Sequence, residues 1–496
     1  MLLGMTRRQL LYATLAAGAV PSVRAQSKRP NILFAIADDW GWPHAGAYGC
    51  TWVNTPAFDR VANEGILFAN CFTSNPKCSP CRASILTGRN TWQLEEAVSH
   101  FGVFPAKWAV FPDLLEEAGY RVGYTGKGWG PGDYRAGGFS RNPAGPEYVK
   151  HTLKAPFRSM SNKDYAKNFE YFLEDREPGQ PFCFWFGTHE PHRAFQDGAG
   201  AISGKRHQDV DVPAFYPDDE TIRRDLADYA VESEWFDTHL GRILGTLERI
   251  GELDNTLVIA TSDHGMPFPR VKGQIYEYGF HLPLAVRWGG GRKGRTVEDF
   301  VNVRDFAPTI LELAGVETPD SMTGRSLVDI LQSDGDGWID PQRNRMLVGK
   351  ERHDLGRPND GGYPVRAIRT PEYLYVRNYE PDRWPAGNPE TGYRNCDGSP
   401  TKSQLLRGFD KYYALSFGKR PAEELYRVDR DKDCVENLAG DPAHAEVKRA
   451  LRAELQDRLE KDGDPRALGN GQVFDTYKYT GARRHAYSTW LEHSKL

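Results

Sequence analysis

Five apolar runs of strand length stop abruptly at polar residues. "NILFAIA" (31–37) runs into Asp38 and Asp39, and "RVGYT" (121–125) into Gly126 and Lys127. "FCFWFG" (182–187) runs into "THEPH" (188–192), "TLVIAT" (256–261) into Ser262, Asp263 and His264, and "MLVG" (346–349) into "KERHD" (350–354). Runs this continuous predict strands covered on both faces, because a strand with one wet face alternates apolar and polar positions. Between them, residues 55–65, 110–119, 226–251 and 305–315 carry the apolar spacing of helices. The alternation predicts an α/β fold with a mostly parallel central sheet flanked by helices.

After about residue 345 the pattern changes. Short strand-like pieces, "VRAIRT" and "YLYVRNY", precede a stretch rich in Pro, Gly and Asn (380–403), and a helix is expected at about 442–461. This predicts a main domain over 28–345 and a smaller C-terminal α+β subdomain over 346–496. Structureless stretches as long as 380–403 are usually functional or mobile.

In open α/β sheets, ligands sit beyond the carboxyl ends of the strands. The polar residues that end the five runs are therefore the candidate chemistry. Asp38, Asp39 and Asp263 supply three carboxylates, a set suited to a hard cation. Taken alone, an Asp-Asp pair after a strand reads equally as a turn or helix cap. His264 is either a further ligand or a hydrogen-bonding neighbour of one. Lys127, Lys272, Arg82 and Arg193 add positive charge, and a cation with several such groups would stabilise a sulfate- or phosphate-like anion. His192, in "EPHR", has the right chemistry to protonate a leaving oxygen. Gly126-Lys127-Gly128 lacks the context of a P-loop.

Composition narrows the partners. The chain has 496 residues, enough for two or three domains, and its net charge of −4 provides no basic field for nucleic acid. Residues 1–25 carry Arg7 and Arg8, an apolar stretch, and the small-residue pattern Val23-Arg24-Ala25, which together predict a twin-arginine-like export signal, with an ordinary secretory signal as the alternative. No other apolar run reaches the ~18 residues that would anchor the chain in a membrane. The expected location is periplasmic or extracellular. Disulfides are permitted there, and the seven cysteines leave one over.

The count does not say which, and two of the seven stand in "KCSPCRASILTGRN" (77–90). Cys78 and Cys81 have CxxC spacing, but no thioredoxin-like unit frames them and no second CxxC completes a zinc site. Cys78-Ser79-Pro80-Cys81-Arg82 through Thr87-Gly88-Arg89 resembles the type I sulfatase motif C-x-P-S-R-x-x-x-x-T-G-R, departing from it at Cys81. The resemblance extends over nearly the whole mature chain, through "NILFAIADDWGW", "YTGKGWG", "TSDHG", "VKGQIYEYGFHLP" and "ELYRVDRDKDCVENLA". "FWFGTHEPHRAF", "SDHGMPFPR" and "GYPVRAIR" look most like the heparan N-sulfatase branch and its bacterial relatives.

The resemblance implies an alkaline-phosphatase/sulfatase-like fold and hydrolysis of a sulfated saccharide. It implies that a maturation enzyme converts Cys78 to formylglycine, which as its hydrate is both nucleophile and ligand of one Ca²⁺ held with Asp38, Asp39, Asp263 and His264. Arg82 and Lys127 would steady the hydrate and the sulfate, Lys272 would contact the sulfate, and His192 would protonate the leaving group. His100, His189, Arg193, Arg352, His353 and Arg366 are the expected contacts to the sugar. Three positions depart from the pattern: Cys81 replaces serine, His281 replaces an arginine, and Trp129 occupies the place of a histidine base, leaving His100 as a substitute. A Cys78–Cys81 disulfide would compete with conversion. A phosphodiesterase or phosphonate monoester hydrolase on the same scaffold, or a non-catalytic saccharide-binding relative, are the alternative readings. The sequence leaves N- or O-sulfate open, and likewise the oligomeric state, with a homodimer among the options.

Overall fold

A computed structural model describes residues 29–289, 291–408, 410–481 and 486–494. The expected export signal lies outside the described residues.

The main-sheet strands are β1 (Asn31–Ala37), β2 (Ile66–Phe72), β3 (Arg121–Gly126), β4 (Phe182–Gly187), β5 (Thr256–Ser262), β6 (His281–Leu282), β7 (Leu284–Arg287) and β8 (Arg295–Asn302). Among the described residues these eight form one sheet in the order β3-β4-β1-β5-β7-β2-β6, with β8 paired to β2. The β3-β4-β1-β5 half is parallel, and β7 and β6 are the antiparallel members. Strand β1 shows why its run is apolar without alternation. Leu33, Ala35 and Ala37 face one buried cluster, while Ile32, Phe34 and Ile36 face another.

Helices cover both faces. The expected helix at 226–251 starts earlier and spans Glu220–Arg249, because the Asp219 side chain accepts from the Ile222 N–H and caps it there. Its Asp237 reaches across to accept from the Ala57 and Phe58 N–H groups at the start of helix Pro56–Asn63, at 2.9 and 2.7 Å. Helices Phe111–Glu117 and Phe306–Ala314 fall where the apolar spacing predicts them.

The run at 346–349 corrects the sequence reading. It forms β9 (Met346–Lys350), which belongs to a second sheet with β10 (Val365–Arg369), β11 (Leu374–Asn378) and β12 (Glu423–Tyr426), all antiparallel. Helix Ala445–Lys461 packs on this sheet through Leu451, Leu455 and Leu459. Both of its faces are nonetheless covered, so an uninterrupted apolar run could not distinguish it from a strand of the main sheet.

Candidate active site

Strand register delivers the candidate residues to one edge. Ala37 pairs with Ser262, so Asp38 and Asp263 leave the sheet level with each other. Gly187 pairs with both Ile36 and Gly126, which brings Lys127 to the same height. Only glycine permits that closure. A Cβ on Gly126 would lie 1.9 Å from the Gly187 carbonyl oxygen, and Gly126 has φ +83°. Asp39 takes φ 75°, a conformation rare for non-glycine residues and common at functional turns.

Cys78 opens helix Cys78–Thr87, preceded by Lys77 in extended conformation without a side-chain cap. The free N–H groups and the positive end of the helix dipole therefore face the edge where Cys78 sits. Arg82, one turn later, is wholly buried. Its Nε bonds Asp263 Oδ2 at 2.8 Å, and one terminal nitrogen donates to the Lys127 and Gly128 carbonyls at 2.8 and 3.0 Å. Lys127 Nζ meets Asp38 Oδ2 at 2.6 Å, and Lys272 Nζ meets Asp39 Oδ2 at 2.6 Å and Asp397 Oδ2 at 3.0 Å.

The donor set fits a cation. Ligand atoms of Asp38, Cys78, Asp263 and His264 all lie within 4.8 Å of one another, and all four residues are buried. Asp38 Oδ1 is buried with no hydrogen-bond partner. His264 Nδ1 donates to the Gly265 carbonyl at 3.0 Å, which turns Nε2 toward Asp39 Oδ1 at 2.8 Å and Cys78 Sγ at 3.2 Å. A neutral ring would point its lone pair at these anions, so the arrangement calls for a proton or a cation between them. The electrostatics agree. Burial lowers His264, but Asp263 and Asp39 outweigh it and hold it well above the ordinary imidazole range. Burial pushes Asp263 up to about 6, against the pull of His264 and Arg82. Burial also acts to raise Asp38, yet Lys127, His192 and Arg82 hold it well below the carboxylate range. Burial and Asp38 raise the Cys78 thiol, and Lys127, His264 and Lys272 outweigh them, leaving it well below the usual thiol range.

Cys78, His100, His192, Asp354, Arg394, Asp397 and Tyr479 line one cavity of about 330 Å³. A neighbouring cavity of about 490 Å³ is lined by Asp38, Lys127, His189, His192 and Arg193. His192 Nδ1 donates to the Arg193 carbonyl at 2.6 Å, which frees Nε2 for the site. His189 is exposed at the mouth.

Four expected sugar contacts are each engaged by partners within the protein, and of the four Arg193 also lines the larger cavity. Arg193 is held by Asp225 through two bonds of 2.8 Å and stacks on Phe195 and Phe268. Arg366 is 0% exposed and paired with Glu351 and Asp464 at 2.7 and 2.8 Å. Arg352 donates to the Asp475 and Tyr477 carbonyls. His353 is buried, with Nε2 2.6 Å from Asn75 Oδ1. In each case a partner from a segment remote in sequence claims a group that strand-end placement would leave facing solvent. His281 likewise serves the packing, bonding Glu277 and the Ala69 carbonyl and stacking on Trp42.

The cysteines are also simpler than the odd count implies. All seven lie among the described residues and are free thiols, so the count carries no pairing information. Cys81 packs beside Cys71 in the core, where burial pushes its thiol well above the usual range. Asp397 and Lys77 escape the sequence reading, and Asp354 enters it only as the end of "KERHD" with no role assigned. The one available signal for Asp397 was its place in the long 380–403 stretch, which is pinned against the site rather than free.

A buried cysteine at a helix start, carboxylates able to hold a cation, and convergent lysine and arginine side chains define a hydrolytic centre for an anionic group on an α/β sheet. The chain belongs to the sulfatase family, whose profile, Sulfatase, matches residues 30–316. It is a sulfuric ester hydrolase. A second profile, "N-sulphoglucosamine sulphohydrolase, C-terminal", matches residues 268–383. N-sulphoglucosamine sulphohydrolase of Homo sapiens is 30% identical over 477 residues, covering 86% of this chain and 89% of that protein. The N-acetylglucosamine-6-O-sulfatase of Bacteroides thetaiotaomicron is 28% identical over 423 residues, covering 66% and 75%. Among solved structures, one described as a complex with its substrate D-glucosamine-2-N,6-O-disulfate shares the fold with a TM-score of 0.65 at 22% identity, covering 88% of this chain and 99% of that one. The phosphonate monoester hydrolase of Agrobacterium radiobacter shares it equally, at TM-score 0.65, 19% identity, 88% of this chain and 96% of that one.

Proposed function

We propose that this chain is an exported sulfatase that desulfates a glucosamine-type sugar of a sulfated glycan, with N-sulfate as the preferred group, using a formylglycine made from Cys78 and one Ca²⁺. The observation that carries the reading is the buried set of Cys78, Asp38, Asp263 and His264, whose ligand atoms fall within 4.8 Å. The similarity to the human N-sulphoglucosamine sulphohydrolase across most of both chains supports the choice of sugar. Among the described residues no helix is long and apolar enough to cross a membrane. The Arg7-Arg8 segment supports export.

Two carboxylates, a histidine and a residue 78 that would offer oxygen once converted make a set suited to a hard cation, and Ca²⁺ held there would polarise an oxygen of the bound anion. Formylglycine at position 78 would supply, as its hydrate, an oxygen nucleophile. The chain's own groups do the rest. Arg82, locked by Asp263 and two carbonyls, and Lys127, on Asp38, fix positive charge beside residue 78 without any rearrangement during reaction. Lys272 stands opposite between Asp39 and Asp397, ready to take a sulfate oxygen. His192, with Nδ1 held by a carbonyl, offers Nε2 to the leaving nitrogen or oxygen.

Mass spectrometry of the peptide containing Cys78, after coexpression with a formylglycine-generating enzyme, tests the reading. Conversion of the thiol to an aldehyde lowers the mass by about 18 Da. Active protein with an unmodified Cys78 would overturn it. Assayed on N-sulfated glucosamine, 6-O-sulfated glucosamine and a phosphonate monoester, the converted enzyme should prefer the first. Chelation should abolish the activity and Ca²⁺ restore it.

A further inference from the structure

The cavity over Cys78 lacks the histidine that the resembled family places at position 129. Trp129 fills that place, and its indole N–H donates to the Ser79 carbonyl at 3.0 Å. Indole has no basic nitrogen. A different residue brings an imidazole to the same cavity. His100 follows the short helix Glu95–Val98, and the Ser79 hydroxyl donates to its carbonyl, which ties this loop to the residue beside Cys78.

The ring of His100 is oriented as a base would be. Nδ1 lies 2.6 Å from Asp354 Oδ1, so Nδ1 carries a proton, and the neutral ring has its lone pair on Nε2. Nε2 is buried and has no hydrogen-bond partner, and His100 is one of the residues that line the cavity with Cys78, His192 and Asp397. Asp354 is itself held in place, since its Oδ2 receives Lys77 Nζ at 2.8 Å and its backbone N–H donates to Asn395 Oδ1 at 2.6 Å. Burial would raise Asp354, but Lys77 and His100 hold it well below the carboxylate range, so the ring faces a full negative charge. A carboxylate holding the far nitrogen of an imidazole fixes its tautomer and stabilises the imidazolium that forms when it takes a proton. His192 does not duplicate this group, because its Nδ1 is held by a neutral carbonyl.

We propose that His100, positioned by Asp354, is the base that completes sulfate release. The proposal rests on the formylglycine reading of Cys78. On the sulfated hydrate, Nε2 takes the proton of the remaining hydroxyl, and the O–H electron pair forms the carbonyl. The carbon–oxygen bond to sulfate breaks, and sulfate leaves with that electron pair. The aldehyde is restored, the imidazolium passes its proton to water, and no oxidant or reductant takes part.

The test uses full-length protein coexpressed with the maturation enzyme, with wild type compared to His100→Ala, His100→Gln and Asp354→Asn. His100→Gln keeps the volume and a bond to Asp354 but has no basic nitrogen. On a chromogenic aryl sulfate, each variant should release one equivalent of phenol in a burst and then turn over about 100-fold or more slowly, the usual share of a general base. The Cys78 peptide from quenched reactions should be about 98 Da heavier than the aldehyde form, the mass of water plus a retained sulfuryl group. Added imidazole should speed the slow phase of His100→Ala and leave that of Asp354→Asn unchanged. Steady-state rates within a few-fold of wild type, or slow turnover with neither burst nor adduct in the folded His100→Gln protein, would overturn the assignment of His100. An active wild type without the aldehyde would overturn both the assignment and the reading beneath it.

Discussion

At the scale of single residues, the chemistry that follows directly from a strand end was legible, and the fate of each cation was not. Asp38, Asp263 and Lys127 each come one residue after a buried strand, so register alone brings them together. Arg366, inside β10, and Arg193, six residues past β4, are equally cationic, yet Asp464 and Asp225 claim them. Those carboxylates lie 98 and 32 residues away in sequence, and no local pattern announces such pairs. Asp397 is the converse case, an acid the sequence did not single out that pairs with Lys272. Burial acts to raise Asp397, but Lys272 and Lys77 bring it down to about 2. Asp397→Ala should therefore loosen Lys272 and lower kcat/KM on an aryl sulfate by about 10- to 100-fold, the worth of a hydrogen bond to a charged group. An unchanged kcat/KM would show that Lys272 needs no second partner.

At the scale of elements, the apolar spacing located the helices well and their ends less well. Helix Glu220–Arg249 begins six residues before the spacing suggests, because a capping side chain and not an apolar stripe sets its start. The same helix disciplines another. Asp237 offers both carboxylate oxygens to the first N–H groups of Pro56–Asn63, whose own N-cap residue, Thr55, makes no side-chain cap bond. Asp237→Ala would leave two buried donors without an acceptor, and unfolding in denaturant should show a loss of about 2 kcal/mol. A loss near zero would mean that water replaces the carboxylate. The strand at 346–350 was placed in the C-terminal subdomain, where it lies, yet its apolar run was also grouped with those of the main sheet, since burial on both faces looks the same in either sheet.

At the scale of the whole molecule, the two sheets are joined by charge as well as by packing. Glu277, beside the Lys272 loop, is buried against Arg369 of β10, with both of its oxygens 3.0 Å from guanidinium nitrogens. Burial would raise Glu277, but Arg369 and His281 bring it down to about 2. A carboxyl group depressed in the folded state adds stability above its unfolded value of about 4.3, and that stability is lost as pH falls toward 2. The contribution is about 3 kcal/mol at neutral pH. Glu277→Gln should therefore be clearly less stable than wild type at pH 7, and the gap should narrow as the pH falls from about 5 to about 3. A gap independent of pH would show that the pair contributes only shape. The second sheet also has a chemical part, since the chain leaving β9 carries Asp354 into the cavity over Cys78. Finally, Cys78 is 1% exposed, at the root of a helix whose ten residues are all buried. A modifying enzyme needs an accessible thiol, so the folded protein presents a closed door, and the order of events in the cell becomes part of the mechanism. The proposed conversion has to precede the docking of helix Cys78–Thr87, and a chain that folds first is committed to remain inactive. Native, unconverted protein incubated with the maturation enzyme should stay unconverted, whereas the same protein unfolded first should gain the aldehyde.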